Sequence, residues 1–285
     1  MALTLNSFVS GGSANVEVAS ITTAAFTPGS NRKLYIAVFE EAGGSGTDIT
    51  HTSNTGGLTF TRIYNSAEYF NASSGYERFA LFEAPVGTSP GSMTVTFDTA
   101  IFAQTSTSVY GVFEIVGSTG QAALRSGQAV ENSGLGNGSG ASGTLPTAAL
   151  TGNLTIIFAG RNNDGSALAS SPAAGGFNAT AVFDTGLTQY ASICAFQSST
   201  FTGTSTGLPN LGSTISEWIT LLVEFEEISN TPQTGYRLIQ TGSPNKRLTQ
   251  NGNTRVLQGG GPPSTARVTD KLVRPRGGII NSRYY

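Results

Sequence analysis

The chain is predicted to be all-β: an antiparallel, jelly-roll-like β-sandwich, followed by a C-terminal β-repeat segment and an extended arm. Three observations lead there. Charged residues make up 11% of the 285, against ~25% in an average globular protein. Glycine alone contributes 37 residues, Ser and Thr are abundant, and strong helix formers are scarce. The apolar residues come in short or alternating runs bounded by Gly, Pro, Asn and Asp, the pattern of many strands joined by turns. Because hydrophobic residues reach 38% and are well patterned, the body is expected to fold rather than stay disordered. The length suits one large or two medium domains.

Taken in order, residues 3–9 and 14–26 alternate and read as edge strands. Pro28-Gly29-Ser30-Asn31 is a turn. Leu34-Tyr-Ile-Ala-Val-Phe39 is almost continuously apolar, so it belongs in the centre of a sheet or is buried on both faces. Residues 43–57 read as a long polar loop containing His51. Strands are expected at 58–64, 76–83, 93–97 and 109–116, and residues 118–142, rich in Gly and Ser, read as a surface excursion or linker. A second series follows at 154–159, 179–184, 190–197 and 215–228.

The two series resemble one another. Leu34–Phe39 lies alongside Leu154–Phe158, Gly56–Phe60 alongside Gly175–Ala179, Arg78–Phe82 alongside Ser192–Phe196, and Tyr110–Ile115 alongside Leu221–Phe225. The strand at 93–97 has no clear match. A duplication of 34–116 as 154–228 and the convergence of β sequences both account for this. The strand count suits two packed sheets, as one jelly roll or two smaller sandwiches. A single sandwich over residues 1–230 is preferred, since neither half alone has the strands for a comfortable closed core. Trp218 is expected at the edge of that core, with a partner for its N–H.

Residues 231–260 say one thing three times: Arg237-Leu238-Ile-Gln-Thr-Gly242, Arg247-Leu248-Thr-Gln-Asn-Gly252 and Arg255-Val256-Leu-Gln-Gly-Gly260. Each copy is too short to fold alone. Three copies of one face suggest pairing within or between chains. If the last two copies form a hairpin, matching Leu248 with Val256 requires a three-residue loop, Asn251–Asn253. A two-residue Asn251-Gly252 loop would set Leu248 across from Arg255.

The net charge of −2 conceals an asymmetry. Residues 231–285 carry nine basic side chains against Asp270 alone, a net +8, which leaves six basic and sixteen acidic residues, a net −10, on 1–230. A basic tail on an acidic body suggests docking on an acidic surface. Residues 261–285 contain Pro262-Pro263 and Pro275 and read as an extended arm, long enough to reach ~80 Å at about 3.3 Å per residue. The residues expected to contact partners are Arg237, Leu238, Arg247, Leu248, Arg255 and Val256 in the repeats, and Arg267, Lys271, Leu272, Arg274, Arg276, Arg283, Tyr284 and Tyr285 in the arm. Its basic residues are thinly spread, so protein docking is expected ahead of nucleic-acid binding.

No catalytic, cofactor-binding or metal-ligating set stands out. One cysteine, Cys194, excludes an intramolecular disulfide and a cysteine metal cluster, and reads as a small strand residue. His51, with Asp48 and Ser53 nearby, can be drawn as a nucleophile–base group, but reads better as an exposed loop histidine. Asn162-Asn-Asp-Gly-Ser166 resembles part of a calcium loop, yet position 173 is Ala where the bidentate Glu belongs. Glu224, Glu226 and Glu227 can be read as a glycosidase pair, as the wet face of a strand, or as a docking partner for the tail. Aromatic residues such as Tyr64, Tyr69, Phe70 and Tyr76 would suit sugar stacking or an ordinary core. The N-terminus has neither the basic nor the apolar region of a signal peptide. No apolar run approaches the ~20 residues of a membrane-spanning helix.

With Gly-Gly-Leu-Thr-Phe60, Arg78-Phe-Ala-Leu-Phe-Glu-Ala-Pro85 and Val112-Phe-Glu-Ile-Val116, the body resembles the jelly-roll structural proteins of tailed bacteriophages. The Arg-Leu-x-Gln-x-Gly copies resemble short β repeats at the ends of such virion proteins. The resemblance implies a non-enzymatic virion component: a head decoration, neck or collar, or tail-attached protein. It would assemble in the host cytoplasm and bind copies of itself and other virion proteins. The alternative is a carbohydrate- or host-receptor-binding module of a tail fibre, with a host-surface glycan as partner. Neither reading calls for a cofactor or a membrane.

Overall fold

The computed structural model describes residues 2–13, 20–42, 48–66, 69–71, 75–98, 106–118, 121–136, 141–162, 176–178, 181–186, 191–208, 216–228, 237–241, 245–250 and 253–258. Those residues are all strand, turn or irregular structure. The first half of the body holds β1 (Thr4–Ser13), β2 (Ser20–Thr22), β3 (Lys33–Ala42), β4 (Thr50–Asn54), β5 (Thr61–Asn65), β6 (Tyr69–Asn71), β7 (Gly75–Pro85), β8 (Val95–Asp98) and β9 (Ser106–Val116). The second half holds β10 (Gln121–Gly136), β11 (Ala141–Thr144), β12 (Leu154–Asn162), β13 (Phe183–Gly186), β14 (Ala191–Ser198), β15 (Ser205–Leu208) and β16 (Ser216–Ile228). The C-terminal segment holds β17 (Arg237–Thr241), β18 (Asn245–Gln250) and β19 (Asn253–Gln258). Residues 1–229 form one compact unit and 230–285 another.

The two halves of the body share one strand order. The large sheet of the first runs β1-β9-β3-β7-β5, with β6 added beside β7, and that of the second runs β10-β16-β12-β14-β13. Each half adds a small sheet, β2-β8-β4 in the first and β11-β15 in the second. In both, the small-sheet strands are interleaved along the chain with large-sheet strands, and every pairing is antiparallel. The strand at 93–97, unmatched in the sequence comparison, contributes β8, and its topological counterpart is β15.

The body is a β-sandwich of the two large sheets, as expected, extended to four layers by a small sheet over each outer face. The inner faces of the two large sheets meet in a central core with Tyr35, Phe39, Phe79, Phe113, Phe158, Ile193, Leu221 and Phe225. Rings interlock across it, with Phe113–Phe158 and Phe79–Phe158 centroids 5.6 Å apart and Tyr35–Phe225 5.1 Å apart. The outer face of each large sheet is covered in turn. Ile36, Val38, Phe82 and Val112 pack with Ile21, Val95 and Phe97 of the small sheet. Ile157, Phe196, Leu222 and Trp218 pack with Leu208, Leu145 and Phe201. Each half therefore needs fewer strands than a free-standing sandwich, because the other half closes one of its faces. Leu34–Phe39 is fully buried on both faces, as its unbroken apolar run requires.

Two expected loops contain strands. Residues 118–142 include β10, sixteen residues long, which pairs with β16. An edge strand can be held by its backbone ladder with few large side chains, so composition concealed it. Residues 43–57 include β4, the polar string Thr50-His-Thr-Ser-Asn54, which pairs with β8. Trp218 is buried as expected, its ring lying against Gly134, but its indole N–H has no hydrogen-bond partner among the described residues.

Register fixes the equivalence of the halves to the residue. Ile36 pairs with Phe82 and Val112, and Ile157 with Phe196 and Leu222. Aligning Ile36 with Ile157 places both on outer faces. It shifts by one residue the sequence comparison that set Leu34 beside Leu154; such a slip would exchange the two faces of the strand. Five residues upstream, Asn31 and Gly152 both have positive φ, 57° and 92°. Gly57 and Gly176, at φ 66° and 67°, precede β5 and β13.

The same equivalence holds for a buried glutamate in each half. Glu114 accepts hydrogen bonds from the Gly29 N–H (3.1 Å), Arg32 Nη1 (2.6 Å) and Asn6 Nδ2 (3.2 Å). Glu224, fully buried, accepts from the Leu150 N–H (2.8 Å), Asn153 Nδ2 (2.7 Å), Arg125 Nη1 (2.6 Å) and Gln128 Nε2 (3.2 Å). Each carboxylate thus clamps the turn that feeds the central strand of its own large sheet. Glu224→Ala leaves a partly buried cation and several donors unmatched, and is expected to cost about 3 kcal/mol in urea unfolding. Glu226→Ala, at an exposed position two residues on, is expected to stay within ~0.5 kcal/mol.

Candidate docking segment and the polar groups of the body

The three Arg-rich copies fall on β17, β18 and β19, an antiparallel three-stranded sheet in the order of the chain. Arg237 and Leu238 lie on β17, Arg247 and Leu248 on β18, and Arg255 and Val256 on β19. The first two copies match, Leu238 pairing with Leu248. The third does not: Leu248 pairs with Arg255 and Val256 with Arg247, while Gln250 pairs with Asn253. The connection is the two-residue Asn251-Gly252, which corrects the three-residue loop expected from matching the apolar residues. Asn-Gly is the pair that favours the shortest hairpin turn, whose twist suits the flanking strands. That local preference outweighs one Leu–Val match in a short sheet. Arg267, Lys271, Leu272, Arg274, Arg276, Arg283, Tyr284 and Tyr285 lie outside the described residues.

The acidic cluster of the body separates into three environments. Glu224 belongs to the buried clamp, so the reading of 224 and 226 as one wet face fails for Glu224. Glu226 is exposed, and Glu227 accepts from the Ser118 hydroxyl at 2.9 and 3.1 Å. The clamps, with Arg32, Arg125 and Gln128, were not singled out in advance. The available signal was a lone glutamate inside an apolar string in both halves, Val112-Phe-Glu-Ile-Val116 and Leu221-Leu-Val-Glu-Phe225.

His51 is not an exposed loop residue. It lies on β4, half-buried, with its ring 4.7 Å from Phe60 and 6.1 Å from Phe97, and its Nε2 is 3.2 Å from Asn54 Nδ2. Burial holds its pKa below the ordinary value, against a smaller opposing effect of the Ser53 backbone. Asp48 is turned to other partners: Arg62 at 2.9 Å, Asn65 at 3.2 Å and Arg78 at 3.5 Å. The Asn65 hydrogen bond foremost, with both arginines, holds its carboxyl below the usual range. Asp48, His51 and Ser53 are thus not assembled as a nucleophile–base group.

Cys194 is buried in β14, where it pairs with Ala159 and Asp184. Tyr64 donates its hydroxyl to Glu131 at 2.7 Å, tying β5 to β10. The side chains of Tyr69, Phe70 and Tyr76 lie outside the described residues. Among the described residues no group of three or more His, Cys, Asp or Glu is placed to hold a metal ion, and no helix is long and apolar enough to cross a membrane. Leu150 is the one exposed large hydrophobic residue among them.

No protein-family model, no curated protein and no solved structure matches the chain.

The lowered pKa of His51 gives a signed pH dependence. Below its ordinary value near 6.5, the unfolded chain binds a proton that the folded chain resists, so stability falls as pH drops through that value towards the folded pKa. In urea titrations between about pH 7.5 and 5, the range of histidine titration, His51→Gln is expected to flatten this segment of the stability–pH curve. An unchanged slope would show that His51 does not contribute to it.

Proposed function

We propose that this chain is a non-enzymatic structural component of a tailed-bacteriophage virion. It serves as a head decoration, neck or collar, or tail-attached protein and docks on copies of itself and on other virion proteins through residues 231–285. The observation that carries the reading is a contrast between the two units. The body is closed on itself: both large sheets are covered on both faces, and Leu150 alone among its described large hydrophobic residues is exposed. The C-terminal unit is separate, carries a net charge of +8, and offers a small sheet that buries little by itself. A self-contained acidic block with a basic, partly apolar appendage suits a subunit that is folded before it is attached.

The return of the chain from large sheet to small sheet and back in each half supports a jelly-roll wrapping, the body type that the sequence resemblance implies. Exposed ion pairs contribute only about 0–1 kcal/mol each. The apolar residues Leu272, Tyr284 and Tyr285 are therefore expected to hold the arm more firmly than its arginines.

The test is incorporation into particles. Chains ending at residue 260 should fold with an unchanged body and fail to join the virion, or join it at strongly reduced occupancy. Within the full chain, alanine at Leu272, Tyr284 and Tyr285 should lower occupancy more than glutamine at Arg267, Arg274 and Arg276. Full occupancy and unchanged salt resistance of the truncated chain would remove the arm from its role.

A further inference from the structure

The two large sheets face each other with their strands in opposite order. β1 lies over β13, β9 over β13 and β14, and β7 over β16. This is the arrangement of two copies related by a two-fold axis that lies between the sheets and parallel to them. In such an interface most residues meet a different residue of the other copy, and only those at the axis meet their own counterpart. With Ile36 aligned to Ile157, Phe39 on β3 corresponds to Gly160 on β12, each three residues further on. These two equivalent residues touch. The Phe39 ring lies directly on the α-carbon of Gly160, and a Cβ placed there would overlap the ring. Both residues are fully enclosed: Phe39 is 0% exposed and Gly160 is buried.

We propose that the body is a covalently joined pseudo-dimer keyed at its axis by Phe39 and Gly160, so that the mating face of each half fits the other half and not a copy of itself. Two first halves brought together would set Phe39 against Phe39 in space that holds a single ring. Two second halves would set Gly160 against Gly160 and leave a void where that ring belongs. Both penalties are of the kind that close-packed cores resist. A second socket lies off the axis and adds to the asymmetry. The Phe183 ring of β13 fills the space above Gly111 of β9, where a Cβ would overlap it. The positions equivalent to these two are Tyr64 and Leu221. The consequence is selectivity between halves. Neighbouring chains at high local concentration cannot pair like halves, first with first or second with second, without making a mismatched core. This holds whatever the body attaches to.

The test is a swap of the key in the full chain, read by thermal unfolding of the body. Phe39→Gly opens a cavity and Gly160→Phe forces a second ring into the axis, so each alone should lower Tm. The double variant Phe39→Gly/Gly160→Phe restores one ring and one socket with their owners exchanged, and it should melt closer to the wild type than either single variant. A double variant that melts at or below the worse single variant would overturn the proposal. If Gly160→Phe alone does not fold, the milder pair Phe39→Val and Gly160→Ala decides. Their combined loss in Tm should be smaller than the sum of the separate losses, and a combined loss equal to or above that sum would equally overturn it.

Discussion

Burial of the large sheets on both faces is the constraint from which the rest of the body follows. An antiparallel sheet ordinarily keeps one wet face and alternates accordingly. Here the central strands β3 and β12 have no wet face, and residues 34–41 and 154–161 are buried without interruption. Each therefore needs two covers. The outer cover is local, a small sheet from the same half. The inner cover is the large sheet of the other half. Close packing then demands the interlocked rings around Phe113 and Phe158 and the sockets at Gly111 and Gly160. Two of the charges admitted into this interior are matched by the turns beside them: Glu114 and Glu224 hold the turns into β3 and β12.

Much of this was legible because it rests on local pattern. The continuous apolar run at Leu34–Phe39 marked a doubly covered strand, and the paired strings around Arg78–Phe82 and Ser192–Phe196 fall on β7 and β14, which hold the same place in the two sheets. What was missed depended on partners distant in sequence. β10 is recognisable only by the ladder it makes with β16, because its own side chains are small. β4 is polar, since one of its faces is wet. Glu224 looked like a surface acid because nothing nearby in sequence announces Arg125 or Gln128, which reach it from a register break in β10. The four-layer stack was hidden for the same reason: periodicity reports that a face is buried, not what covers it.

The C-terminal segment illustrates how local and non-local preferences compete when little is buried. The repeats invite a match of Leu248 with Val256, yet β18 and β19 pair with Leu248 opposite Arg255. In the body, where each strand buries many residues, a one-residue slip would exchange a core face for another and is strongly opposed. In a sheet of three short strands that penalty is small. A segment of this kind gains most from a surface supplied by something else, in keeping with the proposed docking role.

The central claim is that the two halves are one cooperative unit, because each supplies the inner cover of the other. Native-state hydrogen exchange on the full chain tests it most directly. The slowest amides of β3 and β12 should open with the same free energy, equal to that of global unfolding. Loss of protection in the strands of one half, at markedly lower free energy and with the other half still protected, would contradict the account.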